Sequence, residues 1–288
     1  MLWRNRRESG NVEDIRGAGG GRGLVIGGGG GCLTLILALI LAVVFGIDPR
    51  FILQNQPDEP VRTTQNQQRQ VNTEEEELKK FVSVVLADTE DFWRGVYAKS
   101  GRQYRAPKLV LYTDAVNSAC GFNSAATGPF YCPGDEKVYL DLSFARELRS
   151  RFRAPGDFAL AYVLAHEVGH HVQNLMGTSE KVDNAQRRAR SEAEANEYSK
   201  RLELQADFYA GMFARFAMEK GYLEKGDLEE ALGAASAVGD DRIQKQAQGY
   251  AVPDSFTHGT SDQRMRWFKK GFETGDLRQG DTFSVRTL

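Results

Sequence analysis

Polar and apolar positions divide this chain into stretches of different texture. Residues 1–23 are basic and glycine-rich, and residues 24–47, LVIGGGGGCLTLILALILAVVFGI, carry no charge. Residues 48–73 are rich in Gln, Asn and Pro and show no apolar periodicity, which reads as a tether. From residue 74 the pattern is that of a folded domain. Thr73 is placed to cap a helix whose first turn carries Glu74 to Glu77, acids suited to the positive end of a helix dipole. That helix should run through FVSVVLADTEDFWRGVYAKSG and stop at Gly101. KLVLYT (108–113) and KVYLDL (137–142) are short β-type runs on either side of a Gly/Ala/Ser-rich loop. SFARELRSRF predicts a helix opening on Ser143, and GDFALAYVLAHEVGHHVQNLMG one with Asp157 as cap and Gly177 as stop. TSEKVDNAQ to ARFAMEKG reads as helix broken once, and DLEEALGAASAVGDDRIQKQ and SDQRMRWFKKGF as further helices. The expected fold is α+β, mainly α with a small β-sheet.

The uncharged stretch adds a membrane to the picture. As a helix it would reach about 36 Å, enough to cross a hydrocarbon core of about 30 Å with some tilt. A cleaved signal peptide is the rival reading. It fits less well, because the run is long and no small-x-small site follows AVVFGIDP. Arg4, Arg6, Arg7, Arg16 and Arg22 precede the run, whereas Arg50 and Arg62 are the nearest cations after it. By the positive-inside rule the N-terminus stays in the cytoplasm and everything after about residue 48 lies outside. The expected organisation is a cytoplasmic basic segment (1–23), a transmembrane helix (24–47), a flexible linker (48–73) and an exported domain (74–288) of a single-pass inner-membrane protein. GAGGGRG follows no strand and opens no βαβ unit, so it is a flexible lead rather than a dinucleotide loop.

Composition adds little more than limits. With 41% hydrophobic residues and a net charge of −2 the chain suits a globular core and offers no bulk electrostatic footprint for nucleic acid. Of the three cysteines, Cys32 lies in the uncharged run as a small hydrophobe. Cys120 and Cys132 bracket the small-residue loop and are expected to form a disulfide in an oxidising compartment, since they lack the partners of a metal site.

The chemistry is concentrated in LAHEVGHHVQ, which holds three of the four histidines. On a helix, positions four apart face the same way, so His166 and His170 can hold one metal ion, with Glu167 between them as H-E-x-x-H requires. Zinc there would lower the pKa of a bound water to about 7, and Glu167 could take the proton. His171 is turned roughly 140° from His166 and cannot join the pair; a hydrogen-bonding or packing role is its default. Phe158, Ala161, Ala165, Val168 and Val172 form the inward face of this helix. A catalytic zinc needs a third protein ligand. SEAEANEYSKRLELQADFYAG supplies Glu192, Glu194, Glu197, Glu203 and Asp207 as candidates, of which composition selects none. Glu203 and Asp207 stand out, because they share a helix face among Leu202, Leu204 and Phe208, where a carboxylate needs a partner.

AHEVGHHVQ followed by ELQAD resembles the zincin metallopeptidases of the gluzincin type. DSFTHGTSDQRMRWF is similar to the Thr-His…Arg segment of membrane-associated peptidases. The opening WRNRRESGNVEDIRG, the glycine-rich lead, the ACGF…GPFYCP loop and KVYLDLSF resemble the bacterial putative neutral zinc metallopeptidase family over nearly the whole chain. The resemblance implies a zincin-like domain in which Glu203 is the third ligand to one Zn²⁺ and Asp207 orients a ligand histidine. It implies that KVYLDL is the edge strand receiving an extended peptide. It also offers His258 and Arg264 as oxyanion stabilisers; a capping histidine and a surface arginine are the plain alternative.

The expected function is therefore a membrane-anchored zinc endopeptidase that hydrolyses polypeptides outside the cytoplasm, with Glu167 as general base. Its self-association and any gating partner are left open. Two other readings stand beside it: a non-catalytic membrane-anchored binding or assembly factor that retains the zinc-site fold, and zinc-dependent hydrolysis of a non-peptide amide.

Overall fold

A computed structural model of the chain describes residues 1–17, 73–154 and 156–288. The predicted span 24–47, Cys32 and the tether up to residue 72 lie outside the described residues. Among the described residues no helix is long and apolar enough to cross a membrane.

Two sheets are present among the described residues. The larger has strands β1 (Val12–Asp14), β2 (Lys108–Tyr112), β5 (Phe130–Cys132) and β6 (Lys137–Asp141), in the order β1-β2-β6-β5. β1, β2 and β6 are parallel, whereas β5 runs antiparallel to β6. The two predicted β-runs are the two central strands, which explains their unbroken apolar character. The second sheet is a hairpin of β3 (Ala115–Ser118) and β4 (Gly121–Ser124). Cys120 in its turn is bonded to Cys132 at the end of β5.

This order corrects one expectation. KVYLDL is not an edge: β6 is flanked by β2 and β5, and its backbone groups are already paired. The free edge on this side is β5, Phe130–Tyr131–Cys132, too short to leave an alternating pattern in the sequence.

The helices follow the apolar spacing closely. α1 (Thr73–Ala98) and α2 (Phe144–Ser150) both pack against α3 (Asp157–Leu175), which carries the histidines. α4 (Thr178–Gln186) and α5 (Glu192–Glu219) divide the long predicted stretch, and Ser191 caps α5 by accepting from the Glu194 amide. α6 (Asp227–Ala237), α7 (Asp240–Gln248) and α8 (Ser261–Thr274) complete the domain, the last opened by a Thr260/Gln263 capping box. α3 lies at the centre, against α1, α5, α6 and the sheet, and Phe158, Ala161, Ala165, Val168 and Val172 are all buried. Asp157 is not its cap. It sits in the first turn behind Gly156, and its carboxylate lies 2.5 Å from the α-ammonium of Met1, beside Asp227.

The N-terminal residues bring the largest correction. Met1–Arg16 and residues 71–288 form one compact unit. β1 pairs with β2, the Leu109 amide donates to Asn11 O at 2.8 Å and the Ile15 amide donates to Leu111 O at 2.9 Å. Among the described residues, the arginines expected to face the cytoplasm, Arg4, Arg6, Arg7 and Arg16, are instead paired with acidic side chains. Arg6 pairs with Asp88 and stacks on Tyr222, Arg7 reaches Glu90 and Asp91, and Arg16 is held by Asp14 and Glu76. Strands hydrogen-bonded in one sheet cannot have a bilayer between them. Residues 1–16 and 73–288 therefore fold together, at odds with the expectation that a membrane separates residues 1–16 from the domain.

Candidate metal centre and cleft

α3 and α5 cross at their closest where the chemistry lies. Gly169, between the two paired histidines, faces Ala206: a Cβ on Gly169 would stand 3.2 Å from the Ala206 Cα and O. Small residues at both places let the helices approach, and the approach carries Glu203 to the imidazoles. His166 Nε2 lies 3.1 Å from Glu203 Oε2 and 3.2 Å from His170 Nε2, and His170 Nε2 lies 3.3 Å from Glu203 Oε1. Two imidazole nitrogens and the two oxygens of one carboxylate thus lie at spacings close to the edges, about 3.3 Å, of a tetrahedron whose metal–ligand bonds are about 2.0–2.1 Å. The residues fit zinc.

The surroundings fix both imidazoles for that purpose. His166 Nδ1 lies 2.9 Å from Asp207 Oδ1, and His170 Nδ1 lies 2.9 Å from Gln173 Oε1. A carboxylate and an amide oxygen only accept, so both Nδ1 atoms carry the proton and both Nε2 atoms are turned to the shared centre. Asp207 is completely buried and accepts further bonds from Tyr162 Oη (2.6 Å), Arg264 Nε (2.8 Å) and Arg264 Nη2 (3.0 Å). Gln173 is held in turn by the Leu202 carbonyl and Gln205.

Electrostatics agree with the donor set. Burial opposes the charge of Glu203, yet His170 and His166 hold its carboxylate well below the usual range. Burial likewise opposes Asp207, which Arg264 and His166 keep ionised. Burial also opposes a charged His166, but Asp207 and Glu203 outweigh it and carry the imidazole up to about 9. The pocket thus selects positive charge where the donor atoms meet. Glu167 behaves differently: burial raises its pKa, against the pull of His170 and His166. A carboxylate raised in this way is a better proton acceptor.

These groups open onto a cleft of about 520 Å³. His166, Glu167, His170 and Glu203 form its floor, Phe130 and Tyr131 of β5 one rim, and Val238, Ile243 and His258 another part of the wall. His258 is half-exposed. Its Nδ1 lies 3.1 Å from Asp240 Oδ1 and its backbone amide donates to Asp240 Oδ2, so Asp240 raises the pKa of the imidazole. Arg264, by contrast, is 4% exposed and its guanidinium is occupied by Asp207, Tyr162 and the Val238 carbonyl. Its Nη2 also lies 3.4 Å from both ring nitrogens of His166, and the residue lines the cleft.

Two contributors went unnoticed in the sequence. Gln173 was visible as a helical i+3 neighbour of His170, whereas Asp240 left no signal, being brought to His258 only by the start of α7. Glu192, Glu194 and Glu197 are away from the centre; the first two lie in the first turn of α5, and Glu197 pairs with Lys200 and Arg201. His171 is fully buried among Arg105, Tyr104 and Tyr131, and burial lowers its pKa.

Comparison with known proteins agrees with this geometry. The sequence model of a family described as "Putative neutral zinc metallopeptidase" matches residues 1–283. The chain is 48% identical over 288 residues to "Uncharacterized protein YpfJ" of Escherichia coli strain K12, covering 98% of this chain and 99% of the relative. It is 39% identical over 262 residues to "Uncharacterized protein Rv2575" of Mycobacterium tuberculosis strain H37Rv, covering 86% of each. No solved structure matches the chain.

Proposed function

We propose, for a chain that belongs to the putative neutral zinc metallopeptidase family, that it is an endopeptidase which hydrolyses polypeptides with one zinc ion held by His166, His170 and Glu203. The observation that carries this reading is the convergence of the two imidazole Nε2 atoms and the Glu203 carboxylate, with nitrogen–nitrogen and nitrogen–oxygen distances of 3.1–3.3 Å, at a cleft that Glu167 also lines. Zinc bound there would supply a polarised carbonyl and a water acidic enough to be deprotonated near neutral pH.

The chain supplies the rest. Glu167, its pKa raised by burial, accepts a proton from the attacking water and delivers it to the departing amide nitrogen. His258, its Nδ1 committed to Asp240, presents Nε2 to charge developing on the carbonyl oxygen. Asp207 and Gln173 hold the imidazoles in register, and Arg264 holds Asp207. The unpaired edge of β5 offers main-chain groups to an extended peptide lying across the cleft. The apolar wall, with Phe130, Val238 and Ile243, favours substrates that present bulky apolar side chains.

For localisation we propose that residues 1–16 and the domain lie together on the extracytoplasmic face, the compartment in which the Cys120–Cys132 disulfide persists.

The decisive experiment compares wild type with Glu167→Gln on an unfolded polypeptide, measuring cleavage and bound zinc together. The reading requires zinc in both and a loss of cleavage of about 10²-fold or more in the variant. Equal inertness of both proteins across many polypeptides would favour a binding role.

A further inference from the structure

His171, the third histidine of the cluster, reaches no metal ligand, yet every polar atom of its ring is engaged. Its Nε2 lies 2.7 Å from the Arg105 carbonyl and its Nδ1 lies 3.1 Å from Tyr131 Oη. Asn174, one helical turn on, donates to the same Tyr131 hydroxyl at 3.1 Å. The proton order is fixed by what each group can do. A carbonyl only accepts, so Nε2 carries the hydrogen. Nδ1 then accepts from the tyrosine hydroxyl, whose oxygen accepts from Asn174. No proton or lone pair in this chain of bonds conflicts with another.

Tyr131 is the middle residue of β5, the edge strand at the cleft rim, where it is paired with Val138 of β6. β5 is tied to β6 by three residue pairs and to the hairpin by Cys120–Cys132, whereas the Tyr131 hydroxyl bonds it to the ligand helix. The Tyr131 hydroxyl is turned to α3 beneath the strand rather than to the donor atoms of the centre, so it acts on the strand's position. His171 and Asn174 come from the same helix as His166, Glu167 and His170. One rigid element thus carries both the catalytic groups and the support of the rim on which a substrate would lie.

We infer that His171, acting through Tyr131, is a positioning residue that sets the height of the β5 edge above the centre and so governs the affinity for extended polypeptides. The inference rests on the peptidase reading of the cleft. It assigns His171 to substrate alignment and separates it from metal binding and from the chemical step.

The test uses the zinc-loaded full-length protein with reduced, carboxymethylated casein as substrate, and compares His171→Asn, Tyr131→Phe and the double variant. Tyr131→Phe removes only the hydroxyl and keeps the ring, so it serves where His171→Asn fails to fold. The expected result is a KM raised about three- to tenfold, the scale of a lost buried hydrogen bond, with kcat and bound zinc within about twofold of wild type. The double variant should be no worse than the more impaired single. Hydrogen exchange supplies a readout independent of activity: amides of residues 130–132 should exchange faster in each variant, while those around His166 stay protected. Lost zinc, a fall in kcat at unchanged KM, additive effects, or unaltered exchange at 130–132 would each overturn the inference. If wild type cleaves no polypeptide, the peptidase reading fails, and the exchange measurement still decides whether His171 holds the strand.

Discussion

Gly211 on α5 and Gly271 on α8 each face the backbone of the other helix. A Cβ on Gly211 would stand 2.0 Å from the Phe268 carbonyl oxygen, and one on Gly271 would stand 2.0 Å from that of Phe208. This crossing brings Arg264 of α8 to Asp207 of α5, and through Asp207 to His166. Gly271→Ala therefore meets main chain rather than a movable side chain. The helices must separate, at a cost of about 1–3 kcal/mol or more. Urea unfolding should show the free energy of unfolding lowered by that amount, with a correspondingly lower midpoint; an unchanged midpoint would mean the helices are not so closely packed.

Glu203→Ala should reduce bound zinc from one ion per chain to a small fraction, measured by metal analysis after dialysis against limited zinc. Glu197→Ala, on the same helix but paired with Lys200 and Arg201, should leave the metal in place. Equal zinc in both variants would point to a different third ligand.

Asp207→Asn should weaken zinc binding about 10- to 100-fold, as expected for the partner that orients a ligand imidazole. Arg264→Ala should act chiefly on stability, because it leaves Asp207 buried and without its cation, a loss of about 3–5 kcal/mol. Arg264→Ala with normal stability and zinc but greatly reduced kcat would assign this arginine an oxyanion role.

Asp240 raises the pKa of His258, so the protonated imidazole persists above its ordinary value near 6.5 and is lost as the pH rises through the raised value. If His258⁺ serves the oxyanion, kcat/KM falls along that alkaline limb. Asp240→Asn removes the support and should move the limb to lower pH, with zinc content unchanged. A pH profile identical to wild type would remove His258 from the chemistry.

How much of this was legible depended on the distance over which each relationship acts. His166, Glu167 and His170 share one helix, and Glu203 and Asp207 another, so spacing of four displays both halves of the centre. The buried, bonded state of His171 followed from its different helical face. Its partner Tyr131 did not, since β5 is three residues long. The pairing of β6 on both sides was likewise hidden, because unbroken apolar character does not say which strands flank it. Val12–Asp14 has two acids in three residues and no periodicity, yet it joins the sheet because Glu13 meets Lys108 and Lys137. Asp240 reaches His258 only once α6 to α8 are assembled.

The first strand also imposes a schedule. Val12–Asp14 leaves the ribosome early, but its partner Leu109–Leu111 follows about a hundred residues later. At roughly 5–20 residues per second, the gap is on the order of 5–20 seconds. Throughout that interval the opening residues have no sheet to join, and a processing enzyme that removed them as a leader would leave β2 with a bare edge. Val12–Asp14 thus waits for a partner made about a hundred residues after it.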